Sequence, residues 1–205
     1  AGNYSPEIAF TLAKDFMAPL QATQTDQASG ASLVRWNSVP DATGYLNLPG
    51  ATYNFKVTPN AATMPVVINA DVPLMNGSAY TLIALGSLAT IEPLLLTDDN
   101  RSVATEAKVR LVHGSTLAGN VDIYVSAPGA GIAAATPAFS NISFKASTGY
   151  VSLAVGDYDV IITPAGTKTE AIKVGVALEA GGVYTAIARD GAGLTAALGV
   201  IGLDG

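Results

Sequence analysis

Short runs of β-branched and aromatic residues recur along the chain, and glycine, proline, asparagine and aspartate separate them. These runs, which often alternate polar with apolar positions, predict β-strands joined by turns rather than helices. In the second half they fall at residues 108–113, 121–125, 141–144, 150–153, 158–162, 171–174 and 183–188, with an eighth at 198–201. Seven or eight strands in about 100 residues are typical of an antiparallel, immunoglobulin-like β-sandwich.

This strand pattern occurs twice. Residues 44–59 align without a gap on residues 149–164, and residues 72–81 align on residues 176–185. The repeat pairs Tyr45 with Tyr150, Tyr53 with Tyr158, and Tyr80 with Tyr184. Each copy also repeats two turns in which a leucine and a glycine precede the tyrosine, which predicts that the tyrosine hydroxyl bonds backbone near the turn. The chain is therefore predicted to be all-β, with two tandem sandwiches.

The first copy is predicted to be truncated. Arg35 and Arg110 match at the first strand, but Arg35 precedes Gly44 by 9 residues whereas Arg110 precedes Gly149 by 39. The missing 30 residues include two of the strands predicted in the second copy. A sandwich short of two strands exposes core side chains and free edges, so another segment must complete it. The predicted segments are an arm with a linker (residues 1–32), a truncated first repeat (33–104) and a complete second repeat (105–205).

The arm itself has the pattern of a strand. Ile8, Phe10 and Leu12 alternate with smaller or polar residues and share one face, and Phe16 continues the apolar character. Residues 21–30 are polar and typical of a linker. The arm could complete its own domain or insert into a neighbour's, as in donor-strand complementation, and head-to-tail insertion would produce a filament. These four apolar residues are the predicted assembly interface.

Composition and charge exclude several classes of function. About half of the 205 residues are hydrophobic and 13% are charged, with a net charge of −6 and no basic patch. Nucleic acids and anionic membranes need clustered lysine and arginine, so neither is a predicted partner. The absence of cysteine removes disulfides and thiolate chemistry, and no apolar run approaches the roughly 18 residues of a transmembrane helix. A first residue other than methionine is expected from a processed, exported protein or an engineered start.

Residues 109–115, Val-Arg-Leu-Val-His-Gly-Ser, with Val-Asp-Ile-Tyr-Val at 121–125, resemble an uncharacterised family of repeated domains in secreted bacterial and archaeal proteins. Its members open with Val-Arg-Val-Val-His-Ala-Ser-Pro-Asp-Ala-Pro, continue with Val-Asp-Val-Tyr-Val, and end with Leu-x-Ala-Gly-x-x-Tyr-Thr, which residues 178–185 match. The chain departs from the motif at residues 114–116, Gly-Ser-Thr. The resemblance implies an exported immunoglobulin-like sandwich and assigns no activity.

Candidate chemistry is sparse. His113 is the single histidine, and with Ser115 and Asp122 it is the one combination from which a catalytic triad could be drawn. No Gly-x-Ser-x-Gly elbow accompanies it, so we interpret His113 as a hydrogen-bonded core residue and predict no catalysis. Residues 98–100, Asp-Asp-Asn, lack the spacing of a calcium loop and are interpreted as a solvated linker, with an interdomain calcium site as the alternative. We predict no cofactor and no metal.

The sequence therefore predicts a non-enzymatic, secreted or cell-surface structural protein that assembles with copies of itself through the arm. The alternative is a surface module that binds a carbohydrate or a protein, with the arm folded onto its own domain. For that alternative Trp36 and Tyr124 are the candidate ligand face. Buried core is the competing interpretation of Trp36, because carbohydrate platforms usually combine several exposed aromatic rings.

Overall fold

The computed structural model describes the backbone of residues 7–12, 20–26, 30–32, 46–59, 64–86, 89–188 and 199–203. In these ranges the chain forms sixteen β-strands. No helix in the described residues is long and apolar enough to cross a membrane. The predicted all-β fold is confirmed. Contacts divide the chain into two compact units, residues 1–99 and residues 100–205.

The first unit contains eight of these strands. They are β1 (Glu7–Leu12), β2 (Leu20–Asp26), β3 (Gly30–Ser32), β4 (Leu46–Asn47), β5 (Ala51–Pro59), β6 (Ile68–Leu74), β7 (Ala79–Leu85) and β8 (Glu92–Asp98). One sheet has the order β4-β1-β7-β8 and the other has the order β3-β2-β5-β6. Neighbouring strands are antiparallel except β1 and β7, which pair in parallel.

The second unit repeats this arrangement. Its strands are β9 (Glu106–His113), β10 (Val121–Ser126), β11 (Phe139–Ile142), β12 (Ser147–Ala154), β13 (Gly156–Pro164), β14 (Ile172–Leu178), β15 (Val183–Ala188) and β16 (Gly199–Leu203). The sheet orders are β12-β9-β15-β16 and β11-β10-β13-β14. Again a single pair of described strands, β9 with β15, is parallel.

The strands of the two units correspond one to one, because residues 1–32, predicted as an arm and linker, supply β1, β2 and β3 to the first unit. Ile8 of β1 lies opposite Tyr80, as Val109 of β9 lies opposite Tyr184. Strand β2 pairs with β5 as β10 pairs with β13. The strand that corresponds to β9 is therefore β1. The match of Arg35 to Arg110 misplaced the first strand because alternating strands resemble one another at many registers.

The two units differ in their connections instead of their strands. The connection from β2 to β3 is residues 27–29, whereas that from β10 to β11 is residues 127–138. Conversely, residues 33–45 join β3 to β4, and only residues 143–146 join β11 to β12. The deletion predicted from the alignment therefore reflects the lengths of two connections. The first unit has the shorter connection between β2 and β3 and the longer one between β3 and β4.

Both units bury apolar side chains between their sheets, and the repeated tyrosines close the turns as predicted. The Tyr53 hydroxyl donates to the Pro49 carbonyl at 2.7 Å, and the Tyr158 hydroxyl donates to the Ala154 carbonyl at 3.0 Å. The tyrosine hydroxyls of the other repeated turn accept a backbone N–H five residues upstream, at 3.3 and 3.2 Å. Each ring thus packs in the core while its polar atom is satisfied.

Candidate binding cleft in the second unit

A cleft of about 180 Å³ lies between the two sheets of the second unit. Inward-facing side chains of β9, β10, β12, β13 and β14 line it, together with Phe139 of β11 and the preceding Ala138. Among the lining residues Phe139, Leu153, Tyr158 and Val176 are partly exposed. The cleft therefore reaches the surface instead of being sealed within the core.

The first unit carries a large ring at the equivalent position. There Phe55 lies opposite Ala70, and the equivalent pair in the second unit is Val160 opposite Val174. Phe55 is 2% exposed and sits in the core beside Tyr53, which is 5% exposed, whereas the equivalent Tyr158 is partly exposed. A phenylalanine with an alanine and two valines have similar total volume, but only the first pair sends a large ring between the sheets.

The chemistry of the cleft is apolar throughout. Its lining side chains are aliphatic or aromatic, and the one hydroxyl among them, that of Tyr158, is engaged with the Ala154 carbonyl. In the described residues no group of three or more histidine, aspartate or glutamate side chains is placed to hold a metal ion. The cleft can therefore take an apolar group, and it offers no polar anchor to orient a hydrophilic one.

Tyr124, a predicted ligand-face residue, is buried on the outer face of its sheet and not between the two sheets. Its ring is 2% exposed and packs with Ile132, Ile161 and Ala135 under the β10–β11 connection. The Lys168 ammonium lies 4.4 Å from the ring centroid and also donates to the Ala135 carbonyl. The expected exposure of Tyr124 is corrected, because the connection folds over the outer face of the sheet and covers the ring.

Asp159 holds this connection in place. Its carboxylate accepts the Gly129 N–H at 2.8 Å and forms an ion pair with Lys173 at 2.9 Å. The Gly129 N–H and Lys173 both favour the charged carboxylate, so the pKa of Asp159 lies below its ordinary value of 3.8. The same ion pair raises the pKa of Lys173.

Anchoring of the β10–β11 connection is expected to weaken in acid. Because the folded-state pKa of Asp159 is lowered, its contribution is present above pH 3.8 and is lost as the pH falls through the lowered value. Amide exchange at Gly129 should accelerate in that acidic range. In the Asp159→Asn variant it should already be fast at neutral pH and show no acid step, while Asp157→Asn, at an exposed position, serves as the control. An unchanged exchange rate in Asp159→Asn would contradict the anchoring role.

His113, Ser115 and Asp122 do not assemble into a triad. His113 is 1% exposed, its Nε2 is 2.6 Å from the Gly119 carbonyl, and its Nδ1 accepts the Ser115 N–H at 3.3 Å. Both ring nitrogens therefore bond backbone, which fixes the tautomer with the proton on Nε2. The Asp122 carboxylate instead accepts the backbone N–H groups of Asn141 in β11 and of Gly166 in the turn after β13. The three residues stabilise loops at the ends of β9 and β10.

The acidic segment after β8 is only partly solvated. Asp98 is 8% exposed and accepts a hydrogen bond of 2.6 Å from the Thr81 hydroxyl. Its carboxylate thus bonds the neighbouring strand β7, which corrects the linker interpretation for that residue. Asp99 and Asn100 are partly buried beyond the end of the strand.

The structure does not describe the side chains of the remaining predicted site residues. Ile8, Phe10 and Leu12 belong to β1, whose backbone pairing is described and whose side chains are not. Phe16 and Trp36 lie outside the described residues. The assembly interface and the Trp36 ligand face therefore stay predictions.

The cleft was missed by sequence reasoning, although a signal for it exists. The repeat alignment already placed Phe55 on Val160 and Tyr53 on Tyr158. A loss of aromatic volume at one inward position of a repeat predicts either a cavity or compensation by a neighbour. Choosing between them required the register of β13 against β14.

A family model described as a domain of unknown function (DUF4397) matches residues 18–124. Because this match covers just over half of the chain, the chain belongs to that family. The matched region runs from before β2 to Tyr124 in β10 and includes the motif residues at 109–115 on which the resemblance was stated. No curated protein matches the chain.

Two solved bacterial structures show some similarity to this chain. The TIE protein of Bacillus anthracis is 15% identical with a TM-score of 0.30, and the match covers 92% of this chain and 34% of that protein. The chain thus spans about a third of that protein's length. A carbohydrate-binding module (family CBM26) of Eubacterium rectale Amy13K, solved with maltoheptaose, is 11% identical with a TM-score of 0.31 and 96% coverage of both chains. At these identities and TM-scores neither resemblance carries functional information for this chain.

Proposed function

We propose that this member of the DUF4397 family is a non-enzymatic binding module of an exported surface protein, with its N-terminal strand folded onto its own domain. The cleft of the second unit receives an apolar side chain of a partner protein. The observation that supports this is a surface-reaching, wholly apolar cleft of about 180 Å³ between the sheets of the second unit. The surface location is carried over from the resemblance to secreted proteins at residues 109–125.

The size of the cleft suits one large side chain. An apolar cavity of about 150 Å³ admits a benzene molecule, so about 180 Å³ accommodates one aromatic ring or branched aliphatic group. Burying such a side chain contributes about 1.5–3 kcal/mol. That free energy corresponds to roughly a tenfold to 150-fold gain in affinity.

A protein partner fits the cleft better than a carbohydrate does. Sugar hydroxyls must exchange their bonds with water for bonds to donors and acceptors, and burying them without such partners costs several kcal/mol. The lining supplies no free polar group, since the Tyr158 hydroxyl bonds Ala154. Most of the surface of a leucine, phenylalanine or tryptophan side chain is apolar and needs no hydrogen-bond partner when it is buried.

The non-enzymatic part of the proposal rests on the engagement of the titratable groups beside β9 and β10. His113 uses both ring nitrogens on backbone, and Asp122 accepts two backbone N–H groups. A general base must reach a substrate proton with a free nitrogen or oxygen. His113 offers no free nitrogen in this arrangement, and the Asp122 carboxylate is 5% exposed and held between two backbone donors.

The test exchanges the Val160–Val174 pair for the pair used by the first unit. The double variant Val160→Phe with Val174→Ala fills the cleft while keeping the total side-chain volume, so the second unit should fold normally. Peptides selected from a displayed random library against the unmodified chain should be rich in large apolar residues. They should bind the double variant at least tenfold more weakly.

Two measurements serve as controls for this test. Thermal unfolding of the double variant should match that of the unmodified chain, and Val160→Ala, which enlarges the cleft, should retain peptide binding. Equal affinity for the unmodified and filled chains would overturn the proposal. Glycan-array binding that survives the double variant and is lost in Trp36→Ala would instead establish the carbohydrate alternative.

A further inference from the structure

Strand β14 leaves a regular, open edge on the second unit. It pairs with β13 at seven consecutive positions from Ile172 to Leu178 without a bulge, and the strand order of its sheet ends at β14. In the described part of the chain no strand pairs with its other edge. Lys173, Gly175 and Ala177 are exposed, and the inward-facing Val174 and Val176 are partly exposed. Such an edge is a ready template for another strand.

The equivalent edge of the first unit is blocked. Strand β6 carries Asn69, Asp71 and Pro73 where β14 has a lysine, a glycine and an alanine. Proline lacks an N–H, and charged or polar side chains disfavour strand addition, so such residues are common protections of an edge. Strand β14 keeps one such residue, Lys173, so the contrast rests on the other two positions, where β6 has Asp71 and Pro73 and β14 has Gly175 and Ala177.

Pro73 also shows which backbone groups of β14 face outward. It sits within an uninterrupted ladder of β6 with β5, so its nitrogen points away from β5. Backbone groups alternate in direction along a strand, and Ala177 occupies the position of Pro73. The N–H and carbonyl groups of Lys173, Gly175 and Ala177 therefore point toward the open edge.

We infer that two copies of this chain pair through β14, antiparallel about a twofold axis with Gly175 opposite Gly175 of the second copy. This register exchanges about six backbone hydrogen bonds between the outward-facing groups. It sets Val174 against Val176 of the second copy, so each covers a partly exposed neighbour on the inward face. The inference does not rest on the proposed function, because it is argued from the backbone groups of β14, although Val176 contributes to both the cleft and the edge.

The charges along the edge are compatible with a second copy as the occupant. In this register Lys173 lies opposite the uncharged Ala177 of the second copy, while its ammonium keeps the 2.9 Å ion pair with Asp159 of its own chain. No like charges therefore face one another across the seam, and the twofold axis repeats the same arrangement at both ends.

A single cysteine tests the register, because the chain has none of its own. At Gly175 a Cβ would meet only Asp159 Oδ1, at 3.9 Å, so Gly175→Cys is accommodated. In the inferred pair the two Cα atoms would be about 5.5 Å apart, within the range of a disulfide. Mild oxidation of full-length Gly175→Cys should give a crosslinked dimer. Lys173→Cys, whose two copies would be roughly 13 Å apart along the strands, should stay uncrosslinked.

Sedimentation velocity supplies the second test. The unmodified chain should show a concentration-dependent dimer, and Ala177→Pro, which copies Pro73, should weaken it at least tenfold without lowering the unfolding temperature by more than a few degrees. Val160→Ala, which enlarges the cleft and leaves β14 unchanged, should dimerise normally. A chain that stays monomeric at high concentration, or equal crosslinking at positions 173 and 175, would overturn the inference.

Discussion

Deleting residues 1–12 is expected to unfold the first unit while leaving the second folded. Strand β1 pairs with β7 at six positions and with β4 at two, so it is an interior strand of its sheet. Its loss leaves β7, whose residues are all buried, with an open edge, and leaves β4 without its described neighbour. Each lost hydrogen bond costs about 0.5–1.5 kcal/mol, and a domain has only about 5–15 kcal/mol in total.

Limited proteolysis with mass spectrometry distinguishes the units. Fragments should come from residues 13–99, while residues 100–205 resist cleavage as in the unmodified chain. Deleting only residues 1–6, which precede β1, is the matched control and should change nothing. A resistant first unit in the longer deletion would show that β1 is dispensable and would refute its structural role.

The same variant tests assembly through the arm. A synthetic peptide of residues 1–20 added to the deletion variant should restore protease resistance, because the vacated position beside β7 accepts the strand from outside. Filaments of the unmodified chain in electron micrographs, lost on deletion, would establish exchange of β1 between copies. If the unmodified protein is monomeric, β1 acts only within its own unit.

Replacing Asp122 by alanine is expected to destabilise the second unit by about 3–5 kcal/mol. Asp122 is 5% exposed and accepts the Asn141 and Gly166 N–H groups, each at 2.8 Å. Asn141 has a φ of 56°, in the left-handed region, so this bond also holds a backbone conformation that few residues adopt. Removal of the carboxylate leaves two partly buried donors without an acceptor.

Denaturant unfolding, followed by circular dichroism and not by tryptophan fluorescence, measures this loss of unfolding free energy. Asp157→Ala is the matched control, because Asp157 is an exposed aspartate of the same sheet and its loss should stay within about 0.5 kcal/mol. Asp122→Asn should be intermediate, since the amide keeps one acceptor oxygen. An Asp122→Ala variant as stable as the control would contradict the role assigned to these bonds.

Strand prediction succeeded where alternation was strong. The predicted strands at 121–125, 158–162 and 183–188 lie within β10, β13 and β15. The prediction at 141–144 missed the start of β11 at Phe139, because Pro137 and the small residues before it hide where pairing with β10 begins. In the first copy the alignment failed. It matched Val-Arg at residues 34–35 to Val-Arg at residues 109–110 and left β1 unaligned, although β1 is the strand that corresponds to β9.

The candidate site was less accessible to sequence reasoning than the fold. Tyr124 was predicted as part of an exposed ligand face, and it does lie on the outer face of its sheet. Only the folded chain shows that the β10–β11 connection covers it through Ile132 and Ala135. Similarly, the exchange of Phe55 for Val160 is visible in the repeat, but the cleft depends on how Val160 packs with the other residues that line it, among them Tyr158 and Val176.

By itself the sequence determined that the chain is all-β, built twice on one pattern, with tyrosines closing its repeated turns. Strand periodicity and turn residues are local properties, so they can be seen without knowing any contact. Tertiary structure alone decided that β1 lies beside β7, that Tyr124 is covered, and that a cleft opens between the sheets of the second unit. Those features depend on register and packing between residues far apart in the chain, which periodicity does not encode.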